Sequence, residues 1–113
     1  MKTPHLDLPN EDDVLQKDAW IAVAYPQRWY TGLVLKESAS RGTVNVDFGE
    51  PSKKLGSFKY PDGRDIQEVE RCFILKTNIT VSPSANLRYW VTDNSEDIEK
   101  LYRQYIKVYN LTN

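Results

Sequence analysis

DAWIAVAYPQRWYTGLVL, Asp18 to Leu35, is the stretch on which the fold turns; it holds two of the three tryptophans and two of the seven tyrosines of the chain. WIAVAY is a continuous run of apolar and β-prone residues that stops at Pro26-Gln27, as a strand stops at a tight turn. RWYTGLVLKE then resumes with the aromatic and β-branched enrichment of a second strand. Gly32 inside it predicts a sharp bend, or a point where another part of the chain crosses close by. What remains open is whether these aromatics fill a small core or stand at its rim.

Downstream, SASRG reads as a loop and TVNVDF as a third strand, alternating so that Val44, Val46 and Phe48 share one face and Asn45 and Asp47 the other. GEPSKK is a polar turn, LGSFKY a fourth strand, and Pro61-Asp62-Gly63 its end. DIQEVE sets Ile66 and Val69 three apart, which suits one helical turn, and CFIL is a fifth apolar run. Five short strands joined mostly by tight turns predict a small, strongly bent barrel over residues 18–76. Residues 1–17, with Pro4, Pro9 and the acidic run Glu11-Asp12-Asp13, read as a flexible arm. Residues 77–92 read as an extended connector that lays Leu87, Tyr89 and Trp90 on the barrel. A helix is expected over 93–110, with Asp93 as N-cap and Glu96 at the third helical position. Ile98, Leu101, Tyr102, Tyr105, Val108 and Tyr109 recur at helical spacing, and this stripe is expected to pack on the barrel.

The chain has 113 residues, 40% of them hydrophobic and 27% charged, which fits one globular domain. Its net charge of -1 gives no bulk attraction to nucleic acid or to an anionic membrane. One cysteine, Cys72, and one histidine, His5 in the arm, argue against a disulfide framework and a zinc site, so no metal and no cofactor is expected. Cys72 falls in the apolar fifth run and is expected to be buried. MKTPHLDLPNEDD lacks the apolar run of a secretory signal and no stretch is long enough to span a bilayer, so an intracellular protein is expected, not a membrane one. The sequons at Asn78 and Asn110 are then read as chance.

The patterns D-x-W-x-A-x-A-Y, W-Y-x-G-x-V, V-x-V-x-F and D-I-x-x-V together resemble Tudor-like domains of the SH3-like barrel class, over roughly Asp18 to Leu75. The resemblance implies a mainly β fold, a five-stranded SH3-like barrel with the C-terminal amphipathic helix added to it. It implies a non-catalytic, chromatin-associated, nuclear reader of methylated lysine or arginine peptides, such as a histone or arginine-rich tail. Methylated cations are poorly hydrated and short of N–H donors, so ring faces supply the attraction. By position in the motif, the cage would consist of Tyr25, Tyr30 and Phe48, with Tyr60 as a further wall, and Asp47 or Glu50 as the carboxylate at its edge.

Two other binding readings stand beside this one. Lys53, Lys54, Lys59 and Arg64 surround the fourth strand beside Phe58 and Tyr60, a candidate nucleic-acid patch of basic and aromatic residues. A tyrosine-rich surface with Tyr89, Trp90, Tyr102, Tyr105 and Tyr109 also suits a scaffold that binds unmodified peptide or self-associates, as a monomer or weak dimer. No catalysis is expected, because no nucleophile, base and orienting acid fall into a recognisable frame.

Overall fold

The computed structural model describes residues 8–9, 15–37, 42–59, 64–85 and 88–109. The chain forms β1 (Trp20–Ala24), β2 (Trp29–Glu37), β3 (Thr43–Phe48), β4 (Glu50–Pro51), β5 (Ser57–Lys59), β6 (Ile66–Glu70), β7 (Ile74–Ile79), β8 (Val81–Pro83), β9 (Trp90–Thr92) and α1 (Ser95–Tyr109), with a 3₁₀ turn at Arg71–Phe73. Among the described residues it is mainly β, with two antiparallel sheets and one C-terminal helix. The larger sheet runs β6-β3-β2-β1-β7 and the smaller β4-β5-β9-β8.

The aromatic hairpin forms as its sequence dictates. Pro26-Gln27 makes a two-residue turn closed by the Tyr25 N–H on the Arg28 carbonyl at 2.9 Å, and β1 and β2 then pair from Ala24↔Trp29 to Trp20↔Leu33. β1 is apolar at every position because both of its faces are covered. Ile21 and Val23 enter a core with Val34, Val44, Val46, Val69 and Ile74. Ala22 and Ala24 point the other way, into a second core with Trp29, Leu75 and the helix residues Ile98, Tyr102 and Tyr105. The helix therefore packs on the outside of the sheet through positions spaced by four and three, as an amphipathic stripe must.

β6 and β7 stand at opposite ends of the larger sheet, yet only the three residues of the 3₁₀ turn lie between them. Flat strands about 4.8 Å apart would hold these edges about 19 Å from each other, farther than so short a link can reach. The sheet must therefore curl strongly around its apolar face. Among the described residues no ladder joins β6 to β7 directly.

Three expectations about the chain path are corrected. The segment Ile66–Glu70 is a strand paired with β3 and not a helical turn; the turn falls one step later, at Arg71–Phe73. Ile66 and Val69, three apart, consequently face opposite ways, the first 48% exposed and the second 5%. Cys72 lies in that turn and is exposed instead of buried in a strand. Residues 77–92 are not a plain connector, since β8 and β9 extend the smaller sheet, where Phe58 pairs with Trp90. The rings of Trp20 and Phe58 are 5.4 Å apart and those of Trp20 and Trp90 6.4 Å, so an aromatic cluster joins the two sheets.

The helix begins at Ser95, after Asn94 in the left-handed region (φ 58), so Asp93 stands ahead of the cap position; its N–H is used instead on the Thr80 carbonyl at 2.9 Å. Within the expected arm, Leu15 is a buried member of the first core and Leu8 packs on the second. His5, Tyr60, Leu87, Asn110 and the Pro61-Asp62-Gly63 turn lie outside the described residues.

Candidate functional site

The period of two along a strand decides which aromatics meet. Val23 and Tyr25 share a face of the β1 segment, Tyr30, Gly32 and Val34 share a face of β2, and Val44, Val46 and Phe48 share a face of β3. All of these faces look into the curled sheet, and Tyr25, Tyr30 and Phe48 are the outermost layer, directly above the buried valines. Gly32 makes the layer possible. It pairs with Phe48, and a Cβ placed on it would lie 2.3 Å from Val46 Cγ1 and 3.0 Å from Phe48 Cδ1, so both side chains occupy the space a larger residue would need.

The three rings stand nearly perpendicular to one another. Tyr25 and Tyr30 have centroids 5.1 Å apart at 85°, Tyr25 and Phe48 5.8 Å at 77°, and Tyr30 and Phe48 6.1 Å at 72°. Edge-to-face contact is the favoured geometry for aromatic quadrupoles, each pair contributing about 0.5–1.5 kcal/mol beyond its burial. Phe48 is both core and wall: it is 2% exposed, yet it lines the cavity between the rings. That cavity has a volume of about 130 Å³ and is completed by Asp65 and Gln67. At about 30 Å³ per water it has the room of roughly four waters, which suits a small ammonium or guanidinium head and not a whole side chain.

The polar side of the cavity is a relay. The Tyr25 hydroxyl donates to Gln67 Oε1 at 3.0 Å, and Gln67 Nε2 donates to Asp65 Oδ1 at 3.0 Å. Burial, helped by the Asp65 charge and by Tyr30, pushes the Tyr25 phenol above its ordinary 10.0, so the hydroxyl stays a donor throughout the physiological range. From behind, the Tyr102 hydroxyl of α1 donates to the Tyr25 carbonyl, so the helix fixes the backbone of a cavity residue. Arg28 places its guanidinium carbon 5.3 Å from the Tyr30 centroid and lines a narrow cleft that shares the Tyr30 wall, not the cavity itself. A cation is already drawn to this ring.

Of the residues expected at the site, Tyr25, Tyr30 and Phe48 come together. Asp47 and Glu50 do not join them. Asp47, the strand neighbour of Phe48, is 5% exposed, and its Oδ2 accepts from Arg64 Nε at 3.3 Å. Glu50 sits on β4 with its carboxylate 3.9 Å from Lys59 Nζ. The carboxylate at the cavity is Asp65, and with Gln67 it escaped sequence reasoning because a helical turn was expected there. The available signal was the alternation around Val69, which places it between Glu68 and Glu70 as a strand would.

Lys53, Lys54 and Lys59 instead edge a separate open groove on the smaller sheet, together with Ser84 and Tyr89; its volume is about 970 Å³. Arg64, drawn to Asp47, does not line it. Among the described residues no three His, Cys, Asp or Glu side chains converge as metal ligation would require, and no helix is long and apolar enough to cross a membrane. No protein family, curated protein or solved structure gives a significant match to the chain.

Proposed function

We propose that this chain is a non-catalytic binding module, a Tudor-like reader that takes a methylated lysine or arginine side chain between Tyr25, Tyr30 and Phe48. The observation that carries the reading is the set of three mutually perpendicular rings around a cavity of about 130 Å³ with a carboxylate at its edge. Ring faces attract a weakly hydrated cation by about 0.5–2 kcal/mol each, and Asp65 accepts from any N–H that methylation leaves. The strand order β6-β3-β2-β1-β7, with a 3₁₀ turn before the last strand, supports a small SH3-like barrel as the scaffold. A ligand of this class is in keeping with a chromatin-associated, nuclear role.

One small cage and little buried area imply micromolar affinity for an isolated peptide. Calorimetry with trimethyllysine, dimethylarginine and unmodified peptides tests this. A methylated peptide is expected to bind at least tenfold more tightly than its unmodified counterpart, and Tyr30→Ala to erase that difference. Equal binding of the two forms defeats the proposal.

The groove edged by Lys53, Lys54, Lys59 and Tyr89 favours a second ligand, single-stranded nucleic acid, with the tyrosine as a stacking platform and the ammonium groups of Lys53 and Lys54 on phosphates, while Lys59 offsets the Glu50 carboxylate that also lines it. Oligonucleotide affinity should then fall steeply between low and physiological salt; no affinity at low salt removes this reading.

A further inference from the structure

The cavity of the aromatic rings does not stand alone. A second, wider groove of about 350 Å³ adjoins it, and Tyr25 and Gln67 line both. Its floor and walls are apolar, formed by Val23, Ala24, Pro26, Val69 and Phe73. Its rim is acidic: Glu68 and Glu70 belong to it, and Asp65 stands at the near end, in the ring cavity. Glu68 accepts from the Thr43 hydroxyl at 2.8 Å, and the Cys72 thiol is 3.7 Å from Glu70 Oε2.

The two hollows are laid out along one strand. The ring cavity touches Asp65 and Gln67, and the groove touches Gln67 through Glu70. That is an offset of two to three residues, about 7–10 Å at the rise of a strand. In an extended peptide, side chains two residues apart emerge on the same side about 7 Å from each other. A peptide lying along β6 with one side chain in the ring cavity therefore carries a second side chain over the groove.

We propose that the ligand is an extended, basic peptide read at two points: its methylated side chain enters the ring cavity, and an apolar side chain two positions away enters the groove lined by Val23, Val69 and Phe73. This rests on the methyl-cation reading of the ring cavity and adds the neighbouring residue to it. The acidic rim selects basic flanks, since like charge against Glu68 and Glu70 would be repelled and a lysine or arginine attracted. Two-point reading also supplies what a single cage lacks, because burying one leucine-sized side chain outweighs a single ring contact.

The test uses the full chain and nine-residue peptides centred on trimethyllysine, with a parallel series centred on dimethylarginine. Each has two arginines outside the tested positions, and leucine or serine at -2 or +2. Leucine at one of these two positions is expected to tighten binding about five- to tenfold over serine, in the methylated series only. Phe73→Ala should remove the leucine gain and leave the serine peptide unchanged. The peptide comparison on the unaltered protein decides the matter even where that variant fails to fold. Exchange of Glu68→Gln and Glu70→Gln together should weaken the arginine-flanked peptides and lessen their salt dependence.

Methyl-dependent binding that is lost in Tyr30→Ala, with leucine without effect at both positions, overturns the two-point inference and leaves the ring cavity as the whole site. Binding that ignores methylation in every peptide overturns both.

Discussion

Replacing Gly32 by alanine probes the feature that places the rings. Gly32 is not in a left-handed conformation, so the substitution should gain a little, about 0.4–1 kcal/mol, from the lower entropy of the unfolded chain. Against this stands the space: the new Cβ falls 2.3 Å from Val46 Cγ1, 3.0 Å from Phe48 Cδ1 and 3.2 Å from Phe48 Cε1. Carbon atoms rest at about 3.5–4.0 Å, so Val46 has to retreat by more than an ångström. Val46 is fully buried and β-branched, with few rotamers to move into, and Phe48 is held edge-on by both tyrosines. Overpacking of this kind costs about 1–3 kcal/mol, which exceeds the entropic gain. The variant is therefore expected to lose about 1–2 kcal/mol, or roughly 5–12 °C in midpoint for a chain of this size. Thermal unfolding followed by circular dichroism measures it. Gly42→Ala is the control: it lies at φ +82 with no atom within 4 Å of the added carbon, so it should be destabilised by backbone conformation alone and leave the rings in place. A Gly32→Ala protein as stable as the parent, with methyl-peptide binding intact, refutes the packing argument.

Other consequences follow from the contacts of α1 and the 3₁₀ turn. Trp29 Nε1 donates to Glu99 Oε1 at 2.9 Å, so Glu99→Ala should strand a half-buried indole N–H and cost about 1–2 kcal/mol in urea unfolding. Arg103→Ala, which removes only the partner of Glu99 one helical turn away, should cost less than about 0.5 kcal/mol. Burial, with smaller contributions from Cys72 and Tyr109, pushes the Tyr105 phenol from 10.0 to about 12, and burial raises those of Tyr25 and Tyr102 as well. The unfolded chain ionises first, so this stability is whole below pH 10 and drains away as pH rises towards 12, on the order of 1–2 kcal/mol for Tyr105 once solvent screening of its hydroxyl is allowed for. Unfolding midpoints between pH 8 and 12 should show the fall, and Tyr105→Phe should flatten it; an unchanged slope in that variant counts against the assignment. Cys72, exposed in the turn, should react with a thiol reagent in the native protein at a rate that denaturant raises little.

The parts of the fold legible in the sequence were those where one physical rule acted without competition. Apolar residues at every position of WIAVA mean two covered faces, and the helix stripe through Ile98, Tyr102 and Tyr105 supplies one of the covers. Alternation in TVNVDF gave the inward valines and Phe48. Where two rules competed, the reading missed. Ile66 and Val69 satisfy a helical spacing, but β3 offers a ladder to the whole of Ile66–Glu70, and tertiary pairing outweighs so short a local pattern. β8 and β9 have no strong signal of their own, because each is a three-residue strand stabilised by its neighbours. Asp65 and Gln67 were lost with the misread strand.

Strand alternation also explains why Asp47 does not reach the ring cavity. Neighbours in a strand point to opposite faces, so once Phe48 is assigned inward, Asp47 beside it must point out, and it does so towards Arg64. A carboxylate can reach the ring cavity only from another strand. β6 is the strand that lies next to β3, with Asp47 paired to Ile66, and so Asp65 and Gln67, on either side of Ile66, turn to the face on which Phe48 lies. The same alternation that fills the core with Val44, Val46 and Val69 thus continues one layer farther and supplies the site: where the curled sheet ends, the next inward positions can no longer be buried completely. Aromatic residues and their hydrogen-bonded polar neighbours are the side chains that tolerate that boundary, apolar on the ring and wet at the hydroxyl.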